Sequence, residues 1–91
     1  MKKSPALVFR LYVAGNAPNS VRARSNFAEI AKERLGGDYT LEEVDVLKNP
    51  ALALADHILV TPTLILLEPS PSRRVIGNLS ERDTVLDALG I

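Results

Sequence analysis

The chain contains no cysteine, and that absence excludes several kinds of chemistry. A thiolate is the nucleophile of disulfide exchange and the usual ligand of iron–sulfur clusters, so neither activity is available to this sequence. Disulfide stapling of a small fold is excluded for the same reason. The lack of cysteine does not by itself fix the cellular compartment.

The chain also has few aromatic residues, no excess of either charge and no long apolar run. The aromatics are Phe9, Tyr12, Phe27 and Tyr39, so aliphatic side chains must fill the core. Eleven basic and eleven acidic residues give a formal net charge of zero, which argues against binding nucleic acid by bulk electrostatic attraction. No segment approaches the roughly 20 apolar residues of a membrane span. We therefore expect a soluble, cytoplasmic protein that binds neither nucleic acid nor membrane.

The hydrophobic pattern is that of one small α/β domain spanning residues 1–91. Asn19 or Ser20 is predicted to cap the first helix, and Ser80 with Asp83 resembles a capping box for the last helix. The predicted order is β-α-β-α-β-β-α, with strands at 6–13, 39–46, 62–67 and 73–76, and helices between 20 and 36, over 51–57 and around 85–89.

The connection between the first strand and the first helix reads V-A-G-N-A-P-N-S, residues 13–20. In a thioredoxin this connection carries the two catalytic cysteines, and Asn16 and Asn19 stand in their places. An amide is not a redox nucleophile, so these asparagines, with Pro18, either serve turn chemistry or shape a turn for protein contact. Pro62, in Thr-Pro-Thr, resembles the thioredoxin cis-proline; a strand-edge proline is the other interpretation.

Several strings of residues together resemble the KaiB family of circadian clock proteins. They occur in order with short gaps and cover nearly the whole chain. The sensor domain of the SasA histidine kinase is related, but no kinase sequence follows, so the resemblance favours a free-standing KaiB-type protein. The strings are L-Y-V-A-G-N-A-P-N-S (11–20), D-V-L-K-N-P (45–50), T-P-T-L (61–64) and I-G-N-L-S-E-R (76–82).

The resemblance implies a non-enzymatic regulator without a cofactor. KaiB-family proteins bind the hexameric ATPase KaiC and change whether KaiA or a SasA-type histidine kinase reaches it. The family is metamorphic, because the free form is typically a homotetramer of order β-α-β-β-α-α-β and the KaiC-bound form is a thioredoxin-like monomer. We expect a thioredoxin-like fold without a C-x-x-C motif. The alternative is the oligomeric fold, tetramer or dimer, in equilibrium with the monomer by fold switching.

Arginines are the first candidates for partner binding. Arg22 and Arg74 match basic positions that the family uses against KaiC, and a guanidinium pairs with carboxylates in a planar fork. A solvated surface charge is the other interpretation of each. Arg73 adjoins Arg74, and only one of the two faces a given side of a strand.

A second candidate segment is Lys48, Asn49 and Pro50, which matches a KaiC-facing region of the family. Asn49 and Pro50 also fit a helix cap and a first helical position, so Lys48 is the better interface candidate. Ala88 aligns with a glycine of cyanobacterial members. Since Ala favours a helix over Gly by about 1 kcal/mol, we expect this chain to lean toward the thioredoxin-like state. The lone His57 is assigned no role.

Two other function classes remain open at this level. One is a cysteine-free thioredoxin-superfamily enzyme similar to a glutathione transferase, for which Tyr12 or Ser20 would be the reactive hydroxyl. It would need a helical domain that this sequence lacks. The other is an adaptor acting in trans on a SasA-type kinase. Asp45, Asp56 and Asp83 lie on separate predicted elements and are interpreted as caps or solvated charges.

Overall fold

A four-stranded sheet with helices on both faces forms the protein in a computed structural model that describes residues 7–91. The predicted order β-α-β-α-β-β-α is confirmed; the predicted first residue of the first strand, Ala6, lies outside the described residues. The elements are β1 (Leu7–Val13), α1 (Pro18–Arg34), β2 (Tyr39–Asp45), α2 (Pro50–Ala55), β3 (Thr63–Glu68), β4 (Arg73–Ile76) and α3 (Arg82–Leu89).

The sheet has the strand order β2-β1-β3-β4. β1 runs parallel to β2 and antiparallel to β3, and β3 and β4 are antiparallel. The apolar sequence of β1 suits this position because an inner strand is covered on both faces. The carboxyl ends of β1 and β2 and the start of β3 therefore meet at one end of the sheet, which we call the turn end.

The face of the sheet that packs on α1 and α3 carries the larger core. Alternate residues of β1 point into it, beginning with Phe9 and Leu11. Phe9, Phe27 and Tyr39 meet edge to face, with ring centroids 5.1, 6.3 and 5.6 Å apart. Such pairs contribute beyond the burial of their area. Three of the four aromatic residues are thus concentrated between β1, α1 and β2.

The opposite face, covered by α2, has a much thinner core. Its buried residues are Tyr12, Val44, Ala53 and Ile65, whereas thirteen buried residues form the other cluster. α2 is short, and Ala53 is its buried side chain. Val44 and Val46 share this face, as the alternation of β2 predicts.

The predicted cap of the first helix is wrong. α1 begins at Pro18, directly after Ala17, and no side chain caps it. Proline suits that first position because its missing N–H would have had no helical partner. Ser20 is instead buried inside the helix, and its Oγ accepts a hydrogen bond from the backbone N–H of Ala14, 3.0 Å away.

Other local predictions are corrected in the second half of the chain. The Ser80–Asp83 capping box is wrong, because α3 starts after Glu81 and has no side-chain cap; the Ser80 N–H donates to Asn78 Oδ1 at 3.0 Å. α2 ends at Ala55, two residues before its predicted end. β4 lies where it was predicted, and the Thr61–Pro62 peptide bond is cis, as the thioredoxin resemblance implied.

Candidate partner-binding site

The N-A-P-N turn is held to the end of β2 by one carboxylate. Asp45 Oδ1 accepts hydrogen bonds from the backbone N–H groups of Gly15 (3.2 Å) and Leu47 (2.9 Å). Gly15 has a φ of 53°, in the region that favours glycine. The turn after β1 and the connection after β2 therefore lie side by side at the turn end, with Asp45 joining them.

Arg24, which sequence reasoning passed over in favour of Arg22, reinforces this arrangement from α1. Its Nη2 donates to the carbonyl oxygen of Gly15 at 2.9 Å, and its Nε pairs with Glu43 Oε2 at 2.9 Å. Nη1 lies 3.5 Å from Asn16 Oδ1. The alternation of β2, which turns Glu43 toward α1, is the sequence signal from which this contact could have been found.

The side chains of the N-A-P-N turn serve local structure. Asn16 is exposed beside Arg24, and Pro18 occupies the first position of α1. Asn19 Oδ1 accepts a hydrogen bond from Asn78 Nδ2 at 3.3 Å, which links the helix start to the loop after β4. These contacts account for both asparagines as turn residues.

The β2–α2 connection carries the second candidate segment. Lys48, Asn49 and Pro50 are all exposed there. Asn49 occupies the N-cap position of α2 and Pro50 its first position, as predicted, although the Asn49 side chain makes no capping hydrogen bond. Lys48 projects from a tight turn closed by its own N–H to the carbonyl oxygen of Asp45, 3.0 Å away.

Beside this segment lies a shallow pocket of about 210 Å³. It is lined by Val46, Ala53 and residues 58–61. Aliphatic side chains at and next to its lining are unusually exposed: Leu47 is 73% exposed, Leu54 78% and Leu59 91%. With Val60, also exposed, these residues form what we call the apolar patch. Large exposed apolar groups in one region are typical of an interaction surface.

The candidate arginines lie in different places. Arg22 is exposed on α1. Arg74 faces α2, and its Nη2 donates to the backbone carbonyl oxygen of Asp56 at 3.1 Å. Arg73 faces the other way, toward α3, and its Cζ would lie 3.3 Å from a β-carbon placed on Gly90. The prediction that the two neighbouring arginines face opposite sides is confirmed.

The structure thus brings together only part of the predicted set. Asn16, the 48–50 segment and Pro62 meet at the turn end, and Arg74 reaches the same side of the sheet through α2. Arg73 and the half-buried Ala88 of α3 belong to the opposite face.

A polar network beneath α2 was missed by the sequence analysis, which interpreted Asp56 as a cap or a solvated charge. The Tyr12 hydroxyl donates to Asp56 Oδ2, and Arg10 Nη1 lies 3.1 Å from the same oxygen. Arg10 Nε pairs with Glu42 Oε1 at 2.8 Å. The hydrogen bond from Tyr12 and the arginine charges hold the pKa of Asp56 below its usual range.

The same network raises the pKa of Tyr12 to about 12, first because the hydroxyl is buried and then because it donates to Asp56. A phenol in that state is a poor activator of a thiol. Ser20 is equally engaged, since its Oγ accepts from the Ala14 N–H. The structure therefore gives no support to the glutathione-transferase-like alternative.

Comparison with known families decides the family. A model of the KaiB domain matches residues 10–91 of the chain. The chain belongs to the KaiB family. The motifs at 11–20, 45–50, 61–64 and 76–82 carry this resemblance in the sequence.

Curated KaiB proteins match along nearly the whole chain. The circadian clock oscillator protein KaiB of Trichodesmium erythraeum (strain IMS101) is 52% identical over 84 residues, which cover 92% of this chain and 81% of that protein. The protein of the same name from Prochlorococcus marinus (strain MIT 9313) is 48% identical over 91 residues, covering 100% of this chain and 76% of that protein. This kinship supports a role in clock regulation.

Solved structures confirm the thioredoxin-like fold of this KaiB-family chain. The N-terminal domain of Synechococcus elongatus SasA superposes with a TM-score of 0.79 at 19% identity, covering 99% of this chain and 89% of that domain. Mitochondrial thioredoxin 3 from Saccharomyces cerevisiae gives a TM-score of 0.74 at 13% identity, covering 97% and 80%. At these identities the likeness concerns the fold alone.

Among residues 7–91, no helix is both long and apolar enough to span a membrane. The same residues contain no group of three His, Cys, Asp or Glu side chains placed to hold a metal ion.

Proposed function

We propose that this KaiB-family chain is a non-enzymatic clock regulator that binds a KaiC-like hexameric ATPase. In doing so it controls whether a KaiA-like protein or a SasA-type histidine kinase reaches the hexamer. The observation that carries the proposal is the apolar patch around the pocket at the turn end. Leu47 of the patch belongs to the D-V-L-K-N-P motif, whose residues 48–50 match, by resemblance, a KaiC-facing region of the family.

The composition of this region suits protein binding. Burying one exposed leucine contributes roughly 1.5–3 kcal/mol, so several of them supply most of the affinity of a modest interface. Lys48 and Arg22, both exposed near the turn end, add charged groups that pair with carboxylates at the rim. Arg74 is exposed on β4, and although its Nη2 donates to the Asp56 carbonyl, its other N–H groups would meet a partner on the α2 side.

The proposal includes fold switching to the oligomeric order β-α-β-β-α-α-β. The first half, β1-α1-β2, packs its own aromatic group of Phe9, Phe27 and Tyr39, and it would be retained in both arrangements. The α2 layer has few buried residues, and thinly packed segments open at low free-energy cost. Only the thioredoxin-like state would bind the ATPase, so the apparent affinity would fall with its population.

The test is to mix the purified protein with a KaiC-like hexamer and nucleotide, and to follow co-elution by size exclusion over hours. We expect the chain to co-elute, and Leu54→Ser or Leu59→Ser to weaken binding by about tenfold or more, since each loses the burial of a leucine. Leu41→Ser is the matched control, because Leu41 is an exposed leucine on β2 outside the apolar patch. Absence of co-elution under every nucleotide condition would refute the proposal.

Light scattering and NMR of the free protein test the switching part. A monomer with the strand pairing described above is expected to dominate. A tetramer showing the other order alone would contradict the inferred preference for the thioredoxin-like state.

A further inference from the structure

Asp56 occupies a position that local helix chemistry does not explain. It is the C-terminal capping residue of α2, where its N–H bonds to the carbonyl oxygens of Leu52 and Leu54. The partial negative charge at a helix C-terminus disfavours an acidic side chain there. The reason for an aspartate at this position must therefore lie in contacts outside the helix.

Those contacts reach across the sheet. On the α2 face, strand pairing places Glu42, Arg10, Ile65 and Arg74 in one row across all four strands. Arg10 stands in the middle of the row, and its guanidinium bridges Glu42 and the carboxylate of Asp56. Charge-assisted hydrogen bonds of this kind are stronger and more directional than neutral ones.

Asp56 is held both by its side chain and by its backbone. Its carboxylate accepts from Tyr12 and Arg10 of β1, and its backbone carbonyl accepts from Arg74 of β4 at 3.1 Å. The next residue, His57, has a φ of 57°, a left-handed conformation that is unfavourable for a residue with a β-carbon. The two anchors at Asp56 therefore stand directly before a strained turn.

The turn at His57 determines where the chain that lines the pocket lies. After His57 the chain passes through Ile58 and Leu59 to Val60, which line it. The Ile58 N–H bonds back to the carbonyl oxygen of Ala53 at 2.9 Å, so the loop is tied to α2 as a unit. Moving Asp56 would move α2 and the lining of the pocket together.

We propose that Asp56 is a positioning residue that fixes α2 and the loop 57–61 on the sheet, and so presents the apolar patch to a protein partner. The role as a partner surface rests on the proposed function. The positioning itself is a property of the free protein and is measured there.

The charged and titratable groups that face Asp56 are Arg10 and Tyr12 on β1, Glu42 beyond Arg10 on β2, and Arg74 on β4. Tyr12 has a single hydroxyl proton, which it donates in a hydrogen bond to the Asp56 carboxylate. The Leu52 carbonyl oxygen, 3.3 Å from the same hydroxyl, is a second acceptor on α2. Neutralising Asp56 would thus weaken its ion pair with Arg10 and its hydrogen bond from Tyr12, while the Leu52 carbonyl stays within reach of the Tyr12 hydroxyl.

Asp56→Asn is the test variant, since it removes the charge and keeps the shape. Asp87→Asn, an exposed aspartate of α3, is the matched control. Amide exchange in the free protein is expected to speed up by about tenfold or more over residues 53–61 in Asp56→Asn, with β1 and α1 unchanged. Spectrophotometric titration should show the pKa of Tyr12 falling from about 12, because the carboxylate helps to raise it. Because burial also raises the pKa of Tyr12, the fall is attributed to the lost carboxylate only where amide exchange of β1 is unchanged.

Unchanged exchange over residues 53–61 together with an unchanged Tyr12 titration would overturn the proposal. If Asp56→Asn does not fold, Arg74→Gln removes the arginine's hydrogen bond to the Asp56 carbonyl together with a nearby positive charge. The same local loss of protection is then expected, and its absence would count equally against the idea. Binding to the KaiC-like hexamer is measured separately. Failure of the wild type to bind refutes the proposed function. If Asp56→Asn exchanges faster over residues 53–61 and still binds with wild-type affinity, the claim that positioning by Asp56 supports partner binding is refuted.

Discussion

Replacing Tyr12 by phenylalanine isolates the hydrogen bond that joins the central strand to α2. Tyr12 is fully buried, so Tyr12→Phe keeps the ring packed and removes only the hydroxyl. The lost bond goes to an ionised carboxylate, and bonds of that kind contribute roughly 1.5–3 kcal/mol. For a domain of this size, a loss of about 2 kcal/mol lowers the melting temperature by roughly 8–16 °C.

The variant also makes a prediction about alkaline pH. The pKa of Tyr12 is raised from 10.0 to about 12 in the folded protein. A raised folded-state pKa means that the contribution to stability is complete below pH 10 and is lost as the pH rises from 10 toward about 12. Tyr12→Phe has no such group, so its free energy of unfolding should fall less than that of the wild type across this window.

Urea unfolding at neutral pH and across the alkaline window measures both effects. Tyr39→Phe is the matched control, since Tyr39 is half-buried on the other face of the sheet. A Tyr12→Phe protein as stable as the wild type at neutral pH, with the same alkaline loss, would show that the hydroxyl bond does not hold α2 in place.

Two further substitutions test the turn end and α3. Arg24→Ala removes the contacts to the Gly15 carbonyl, Asn16 and Glu43, and we expect less than about 1 kcal/mol of global destabilisation, because the ion pair is at the surface. The Gly15 amide, which donates to Asp45, should exchange faster by NMR because the turn is less firmly held; equal exchange would show that Arg24 does not hold the turn. Ala88→Gly should disfavour α3 by about 1 kcal/mol and shift the free protein toward the oligomeric state in light scattering, whereas a purely monomeric variant with wild-type spectra would count against the inferred role of Ala88.

The element order was predictable because it depends on local signals. Apolar clustering marked β1, and Gly77 with its positive φ of 119° ended β4 where the sequence indicated. Alternation along a strand correctly separated Arg73 from Arg74. Caps were less predictable, because Ser20 is the third residue of α1 and accepts a hydrogen bond from the turn before the helix, at Ala14.

The Asp56 network could not have been predicted from local patterns. Arg10 and Asp56 lie 46 residues apart, and they meet only because β3 and β4 add to the side of β1 away from β2 and α2 crosses above them. Predicting that contact requires the register of four strands, which no local pattern supplies. Arg22 was singled out by its match to the family, whereas the contact of Arg24 with Glu43 joins α1 to β2 and was not considered.

The two faces of the sheet differ in how much hydrogen bonds add to apolar burial, and this difference bears on the proposed rearrangement. On the α1–α3 face, seven of the thirteen buried residues belong to β1 and α1, so that half keeps a core of its own if the rest moves. On the α2 face, four buried side chains are supplemented by the bonds of Arg10, Tyr12 and Arg74 to Asp56. Apolar burial is non-directional, whereas hydrogen bonds specify one geometry and are lost together when it changes. The thioredoxin-like position of α2 therefore depends on polar contacts as well as on this small core. Substitutions within the network should lower the population of that state while they leave the packing of the α1–α3 face unchanged.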